Sequence, residues 1–148
     1  MTTGKLGIAT IKEFENFSAT VYTCPAGELT IGWGHLVKPG ESFKTLSLAE
    51  ADSILADDLK IAENAVTAQV KVPLSQWQYD ALVSFTFNLG SGNLSKSTLL
   101  ICLNKKLYAL TAKEFDRWIY ADGQKMAGLM ARRRCEKIIF RAGTEKGG

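Results

Sequence analysis

Residues 20–35 read Thr20-Val21-Tyr22-Thr23-Cys24-Pro25-Ala26-Gly27-Glu28-Leu29-Thr30-Ile31-Gly32-Trp33-Gly34-His35, and this stretch decides the fold class. Two β-branched and aromatic runs, 20–22 and 28–33, flank Cys24-Pro25-Ala26-Gly27. Proline presets φ and glycine supplies a positive φ, so the stretch predicts a β-hairpin. It is the one region that reads as strand. A third short strand is expected near residues 41–44, after the Lys38-Pro39-Gly40 turn.

Outward from the hairpin the pattern is helical. The first helix is predicted over about residues 5–16. Three capping-box patterns, Ser47-x-x-Glu50, Ser75-x-x-Gln78 and Thr111-x-x-Glu114, mark further helix starts. After Ser47 the apolar residues Leu48, Ala51, Leu55, Leu59, Ala62 and Val66 fall at helical spacing, giving one long helix. The helix after Ser75 is closed by Gly90-Ser91-Gly92-Asn93, and shorter helices fit residues 96–106 and 126–142. The expected fold class is therefore α+β and mainly helical. A small N-terminal β-hairpin lobe (about 18–46) is joined by the long helix to a helical C-terminal lobe (about 68–148), within a single domain.

A chain of 148 residues with 46% hydrophobic content is long enough to bury a core without disulfide or metal staples. It is too apolar and aromatic for a disordered chain, and no run approaches the roughly 18 apolar residues of a membrane span. Cys24, Cys102 and Cys135 are widely spaced and form no CxxC pair, and a single histidine, His35, cannot complete a zinc site with them, so no metal is expected. The net charge of +3 is uneven. From Gln124 onward, Lys125, Arg132, Arg133, Arg134, Lys137, Arg141 and Lys146 stand against Glu136 and Glu145, an excess of +5. That end suits a polyanionic partner, or else is a solvated helix face.

On the first helix Glu15 lies seven residues after Ile8 and four after Ile11, on the same face. A carboxyl at a core boundary is partly desolvated, which favours its protonated form, and a protonated carboxyl can act as general acid at a glycosidic oxygen. An ordinary acid paired with an arginine fits the same position. The order of residues beyond it is more specific: Glu15-x8-Cys24-x5-Thr30, then Ile31-Gly32-Trp33-Gly34-His35. Gln78-x-x-Ala81-Leu82-Val83-Ser84-Phe85-x-Phe87-Asn88-x-Gly90 follows, then Arg117-Trp118, then Gly128-Leu129-x-x-Arg132-Arg133-x-x-Glu136. Together these resemble the phage lysozymes of glycoside hydrolase family 24 across about residues 8–141.

The resemblance implies a lysozyme-like fold and an endolysin that hydrolyses the β-1,4 bond between N-acetylmuramic acid and N-acetylglucosamine in peptidoglycan. It implies Glu15 as general acid, Thr30 holding the attacking water, and Cys24 at a place the family fills with Asp or Cys. Acid on one face and water on the other is an inverting arrangement. Cys24 acts there either as a thiolate or as a polar spacer beside Thr30. Leu36, Phe87 and Ser97 would line the cleft, and Arg132 would pair with Glu15. No cofactor is implied.

Other readings use the same residues. Cys24 and His35 would make a thiol-protease pair only if Cys24 sat at a helix N-terminus, whereas it precedes Pro25 in a hairpin. His35 is expected to pack at the lobe boundary with its ring hydrogen-bonded, Cys102 to lie in the core, and Trp77 and Trp118 to be core rather than sugar platforms. Gly32-x-Gly34 lacks the third glycine and following helix of a nucleotide loop, and no nucleic-acid module is present. A lytic transglycosylase acting on the same bond is the nearest enzymatic rival, and a cationic wall- or membrane-active protein the nearest binding one. The chain is expected to act as a monomer. With no visible export signal, it would wait folded in the host cytoplasm until a holin opens the way to the periplasm and wall, without stable membrane insertion.

Overall fold

Two glycines shape the small sheet. Gly32 (φ 65°) and Gly34 (φ 75°) reverse the chain around Trp33, a left-handed conformation that glycine adopts without steric cost. In the computed structural model, which describes residues 1–146, this reversal gives a three-stranded antiparallel sheet. Its order is β1 (Ser18–Thr23), β2 (Leu29–Gly32), β3 (His35–Leu36). Tyr22 faces Thr30 across β1/β2, and Ile31 faces His35 across β2/β3. The third strand thus follows the Gly-Trp-Gly turn directly. Residues 41–44, where it was expected, carry no strand, because the chain has already turned back ten residues earlier.

Helix α1 (Lys5–Glu15) precedes the sheet. Its N-terminal amides are capped from a distance. Gly4 N–H donates to Asp80 Oδ1 at 2.8 Å and Gly7 N–H to Asp80 Oδ2 at 3.1 Å, which satisfies orphan donors and places a carboxylate at the positive end of the helix. After the sheet, Ser47 and Glu50 form a reciprocal capping box that starts α2 (Leu48–Gln69). Twenty-two residues span about 33 Å, and the buried stripe is Ala51, Leu55, Leu59, Ala62 and Val66, while Leu48 faces solvent.

Ser75 and Gln78 cap α3 (Gln76–Leu89) in the same way. Every residue from Gln78 to Thr86 is buried, so α3 is the central helix around which the others pack. Phe85 meets Phe115 and Trp118 edge-on, and Phe115 packs against Phe140. Such pairs contribute beyond their buried area.

Three sequence expectations are corrected in this lobe. Gly90 turns the chain at φ 91°, but Ser91-Gly92-Asn93 opens a short helix, α4 (Ser91–Lys96), instead of a loop. Thr111 caps nothing: it lies inside α6 (Tyr108–Glu114), is fully buried, and donates its hydroxyl to Leu107 O. The region after it is a 3-10 turn (Phe115–Arg117) and a tight hairpin, β4 (Tyr120–Ala121) and β5 (Gln124–Lys125), around Asp122 (φ 50°) and Gly123 (φ 77°). Between α4 and α6 stands α5 (Thr98–Asn104).

The last helix, α7 (Ala127–Lys146), packs along α3. It changes the reading of the C-terminal charge. Arg132, Arg133 and Glu136 are buried together, and Lys137 is paired with Asp116 at 2.7 Å. Part of the +5 excess is therefore neutralised, by Glu15 on Arg132 and by Asp116 on Lys137, while Lys125, Arg134 and Arg141 stay exposed. Cys102, expected in the core, is half-buried; Cys135 is half-buried against the core, and burial pushes its thiol up from its ordinary value.

Candidate active site

The C-terminal end of α1 delivers Glu15 to a cleft of about 530 Å³ between the sheet and the helical lobe. Its walls come from the sheet and its loops (Cys24, Glu28, Leu36, Lys38), from α2 (Asp58, Ile61) and from the end of α3 (Phe87, Asn88). Glu15 is fixed from below. Arg132 Nη1 donates to Glu15 Oε2 at 2.7 Å, and the Arg132 guanidinium lies against the Phe14 ring. Gly34 approaches from the other side. A Cβ built there would collide with Glu15 Oε1, so glycine is needed for space as well as for its φ of 75°. One carboxylate oxygen is thus tied to arginine, and the other faces the hairpin turn and the cleft.

Arg132 is held in turn. Its Nη2 reaches Ser84 O at 3.3 Å, and its Nε lies 3.4 Å from both Ser84 Oγ and Glu136 Oε2. Glu136 accepts from Ser84 Oγ at 2.6 Å and from Arg133 Nε and Nη2 at 2.6 and 3.1 Å. Arg133 also donates to Trp118 O at 3.4 Å. The result is an alternating series, Glu15–Arg132–Glu136–Arg133, in which two carboxylates face two guanidiniums. Buried charges persist only when paired and hydrogen-bonded in this way. Burial pushes the Arg133 guanidinium down, and Glu136 opposes that shift.

Across the cleft, Cys24 sits at the hairpin turn. The Glu28 amide donates to its sulfur, and this bond acts against partial burial. Weaker help from the Ala26 amide and the Thr30 hydroxyl leaves the thiol below its ordinary value. Thr30 itself is buried behind Cys24, with its hydroxyl 3.2 Å from Glu28 O. Leu36 and Phe87 line the cleft, but Ser97 does not. Ser97 is 2% exposed and caps α5, accepting from Leu100 N at 3.1 Å and donating to Leu94 O at 2.7 Å.

Sequence reasoning missed part of the wall. Thr86 Oγ1 and Asn88 Oδ1 are buried without hydrogen-bond partners and belong to cleft-lining residues; unpaired buried acceptors of this kind are costly unless a ligand or water meets them. Asn88 stood in the motif that carries the resemblance, but no role was read for it, and Thr86 was an unspecified position within that motif. None of the three tryptophans lines the cleft. Trp33 ties the turn after β2 to α2, donating to Asp52 Oδ1 at 2.8 Å beneath Lys12 and against Phe17. Among the described residues no three His, Cys, Asp or Glu side chains converge as a metal would require.

His35 clamps the sheet to α2. Its Nδ1 is 2.7 Å from Asp58 Oδ2 and its Nε2 3.0 Å from Glu41 Oε1. Burial alone would push the imidazole down, but the bonds to Asp58 and then Glu41 outweigh it and raise its pKa. Glu41 is lowered, first by the Lys38 amide and then by His35. A raised histidine contributes stability below its unfolded value of about 6.5 and loses it as pH rises through the folded value. A lowered glutamate contributes above about 4.5 and loses it in acid. The Tm advantage of the wild type over His35→Gln is therefore expected to peak near pH 5–6 and shrink above neutrality. A difference that stays constant across thermal melts from pH 5 to 9 would contradict the clamp.

A glutamate at the floor of a cleft between a small antiparallel sheet and a helical body, with the two joined by one long helix, defines the lysozyme-like class. The phage lysozyme family model matches residues 12–136. The chain is 36% identical to the endolysin of Bacillus phage PZA over 99% of this chain and 57% of that protein, so it spans little more than half of that relative's length. It is 40% identical to the SAR-endolysin of Escherichia phage Mu, over 85% of this chain and 73% of that protein. The muramidase domain of SpmX from Asticaccaulis excentricus superposes with a TM-score of 0.85 at 33% identity, covering 94% of this chain and 97% of that one. The chain belongs to the phage lysozyme family.

Proposed function

We propose that the chain is a muramidase of the endolysin type, hydrolysing the β-1,4 bond between N-acetylmuramic acid and N-acetylglucosamine in peptidoglycan. The observation that carries this reading is the placement of Glu15. Arg132 holds its Oε2 at 2.7 Å, and its Oε1 lies beside the side-chain-free turn at Gly34. Oε1 is then the oxygen that bears the proton and passes it to the glycosidic oxygen as the bond breaks. A water between the anomeric carbon and Cys24, which Thr30 backs, attacks from the opposite face, so the product anomer is inverted. Cys24 accepts a hydrogen bond from that water, and where it is ionised, a form the Glu28 amide favours, it takes the spare proton. Leu36 and Phe87 offer apolar contact to the sugars, and Thr86 and Asn88 offer acceptors to their N–H and O–H groups.

A carboxylate at position 24 would do the same work, being charged at any pH above about 4. Cys24→Asp is expected to retain lysis within about tenfold, a small loss beside the roughly 100-fold or more that general acid–base groups supply. A loss of that larger size would remove Cys24 from the role. The reading as a whole is tested by reducing-end release from purified peptidoglycan. Release of free amino groups instead would mean peptide cleavage and overturn it. Delivery belongs to the same proposal. The protein waits folded inside the host and reaches the wall through a holin lesion, and lysis from within cells that lack a co-expressed holin would count against that route.

A further inference from the structure

A second basic surface lies away from the C-terminal helix. From Ala81 to Lys113 the sequence contains no Asp or Glu, and four lysines, Lys96, Lys105, Lys106 and Lys113. All four are exposed, and among the described residues none is in an ion pair. The corner between α5 and α6 gathers three of them. Lys106, at φ 61°, ends α5: its amide donates to Leu103 O and the Leu107 amide to Cys102 O, both at 2.9 Å, the paired bonds of a Schellman turn. Ile101 on α5 and Lys105, the residue that ends it, are four apart, and Leu110 and Lys113 are three apart on α6, so each pair lies on one side of its turn. Ile101, Leu107 and Leu110 are 54%, 44% and 49% exposed.

We propose that this α5–α6 corner is a docking surface for an anionic lipid bilayer, separate from the cleft. Charge complementarity commits it to an anionic partner, and the exposed side chains decide which one. Three branched aliphatic residues in a basic frame suit the headgroup–acyl boundary, where they leave water. A soluble polyanion offers them nothing. The cations of the corner are all lysines, and the ring of Tyr108 packs against the core, so the forked phosphate recognition and base stacking of a nucleic-acid surface are missing. No helix among the described residues is long and apolar enough to span a membrane, so the contact is peripheral. Each lysine near an anionic leaflet contributes about five-fold in partitioning, and the corner supplies three.

The test is co-sedimentation of the Glu15→Gln protein with sucrose-loaded vesicles, using phosphatidylcholine alone and phosphatidylcholine with one-third phosphatidylglycerol. Binding is expected to the anionic vesicles only, and to be lost in 0.5 M salt as screening tightens. Lys105→Gln/Lys113→Gln is expected to lower partitioning about 25-fold, and Leu110→Gln several-fold, with melting temperatures unchanged and, when the same substitutions are made with Glu15 intact, cleft activity unchanged, because these side chains are exposed and do not line the cleft. Equal binding to both vesicle types, or none to either, would overturn the proposal. So would binding to soluble polyphosphate that matches the vesicles and ignores Leu110→Gln, which would assign the surface to a polyanion.

Discussion

Glu15→Gln is expected to lower turnover on purified peptidoglycan by about a thousand-fold or more, the upper part of the range for removing a positioned general acid. The substitution is nearly isosteric. Its amide oxygen can still accept from Arg132 Nη1, which lies 2.7 Å from Glu15 Oε2 in the wild type, so the side chain keeps its place. Only the proton at Oε1 is lost. The expected signature is therefore a fall in kcat with substrate affinity largely retained, measured as reducing ends released against bound polymer. A variant that keeps a tenth of the wild-type rate would mean that another group protonates the leaving oxygen.

The second large effect concerns stability. Glu136 is fully buried between Arg132 and Arg133, and among the described residues no other carboxylate contacts Arg133. Glu136→Ala strands a buried guanidinium and leaves Ser84 Oγ without its acceptor. Breaking a buried pair by removing one partner costs about 3–5 kcal/mol. For a chain of this size each kcal/mol moves Tm by about 2–4 °C, so a fall of about 10 °C or more is expected in calorimetry. Glu136→Gln, which keeps the hydrogen-bond acceptor, should fall less. A change under about 2 °C for the alanine variant would show that the series contributes little. The two variants separate the functions of one network: Glu15 faces the cleft, and Glu136 keeps beneath it the arginine that holds Glu15.

The large helices were legible because their signals are local. Ser47 and Ser75 form the capping boxes their spacing implies, and the apolar stripe of α2 is buried from Ala51 to Val66. Thr111 misled because the same Thr-x-x-Glu spacing can lie within a helix, where the hydroxyl bonds back to the carbonyl four residues earlier. The hairpin at Asp122-Gly123 carried a local signal too, a turn dipeptide suited to two positive φ values, but its strands of two residues are too short for periodicity to show. Third-strand placement depended on Gly32 and Gly34 turning the chain at once, which a Gly-x-Gly pattern does not announce.

At the site, Glu15, Cys24, Leu36 and Phe87 are brought to one cleft, with Thr30 behind Cys24 and Arg132 beneath Glu15. Ser97 is not, because its hydroxyl caps a helix. What the sequence could not display is contact across long separations. Arg132 meets Glu15 from 117 residues away, and His35 joins Asp58 on another element. The charge excess after Gln124 was countable, but whether an arginine is solvated or buried against a glutamate is decided by packing.

The central claim is water-dependent cleavage of the muramyl bond by the acid at Glu15. Mass spectrometry of the fragments released from purified peptidoglycan tests it most directly. The account predicts fragments ending in reducing N-acetylmuramic acid, carrying the elements of one added water, and none above background with Glu15→Gln. Fragments ending in 1,6-anhydro-N-acetylmuramic acid would contradict it, since that product forms without water and belongs to a lytic transglycosylase.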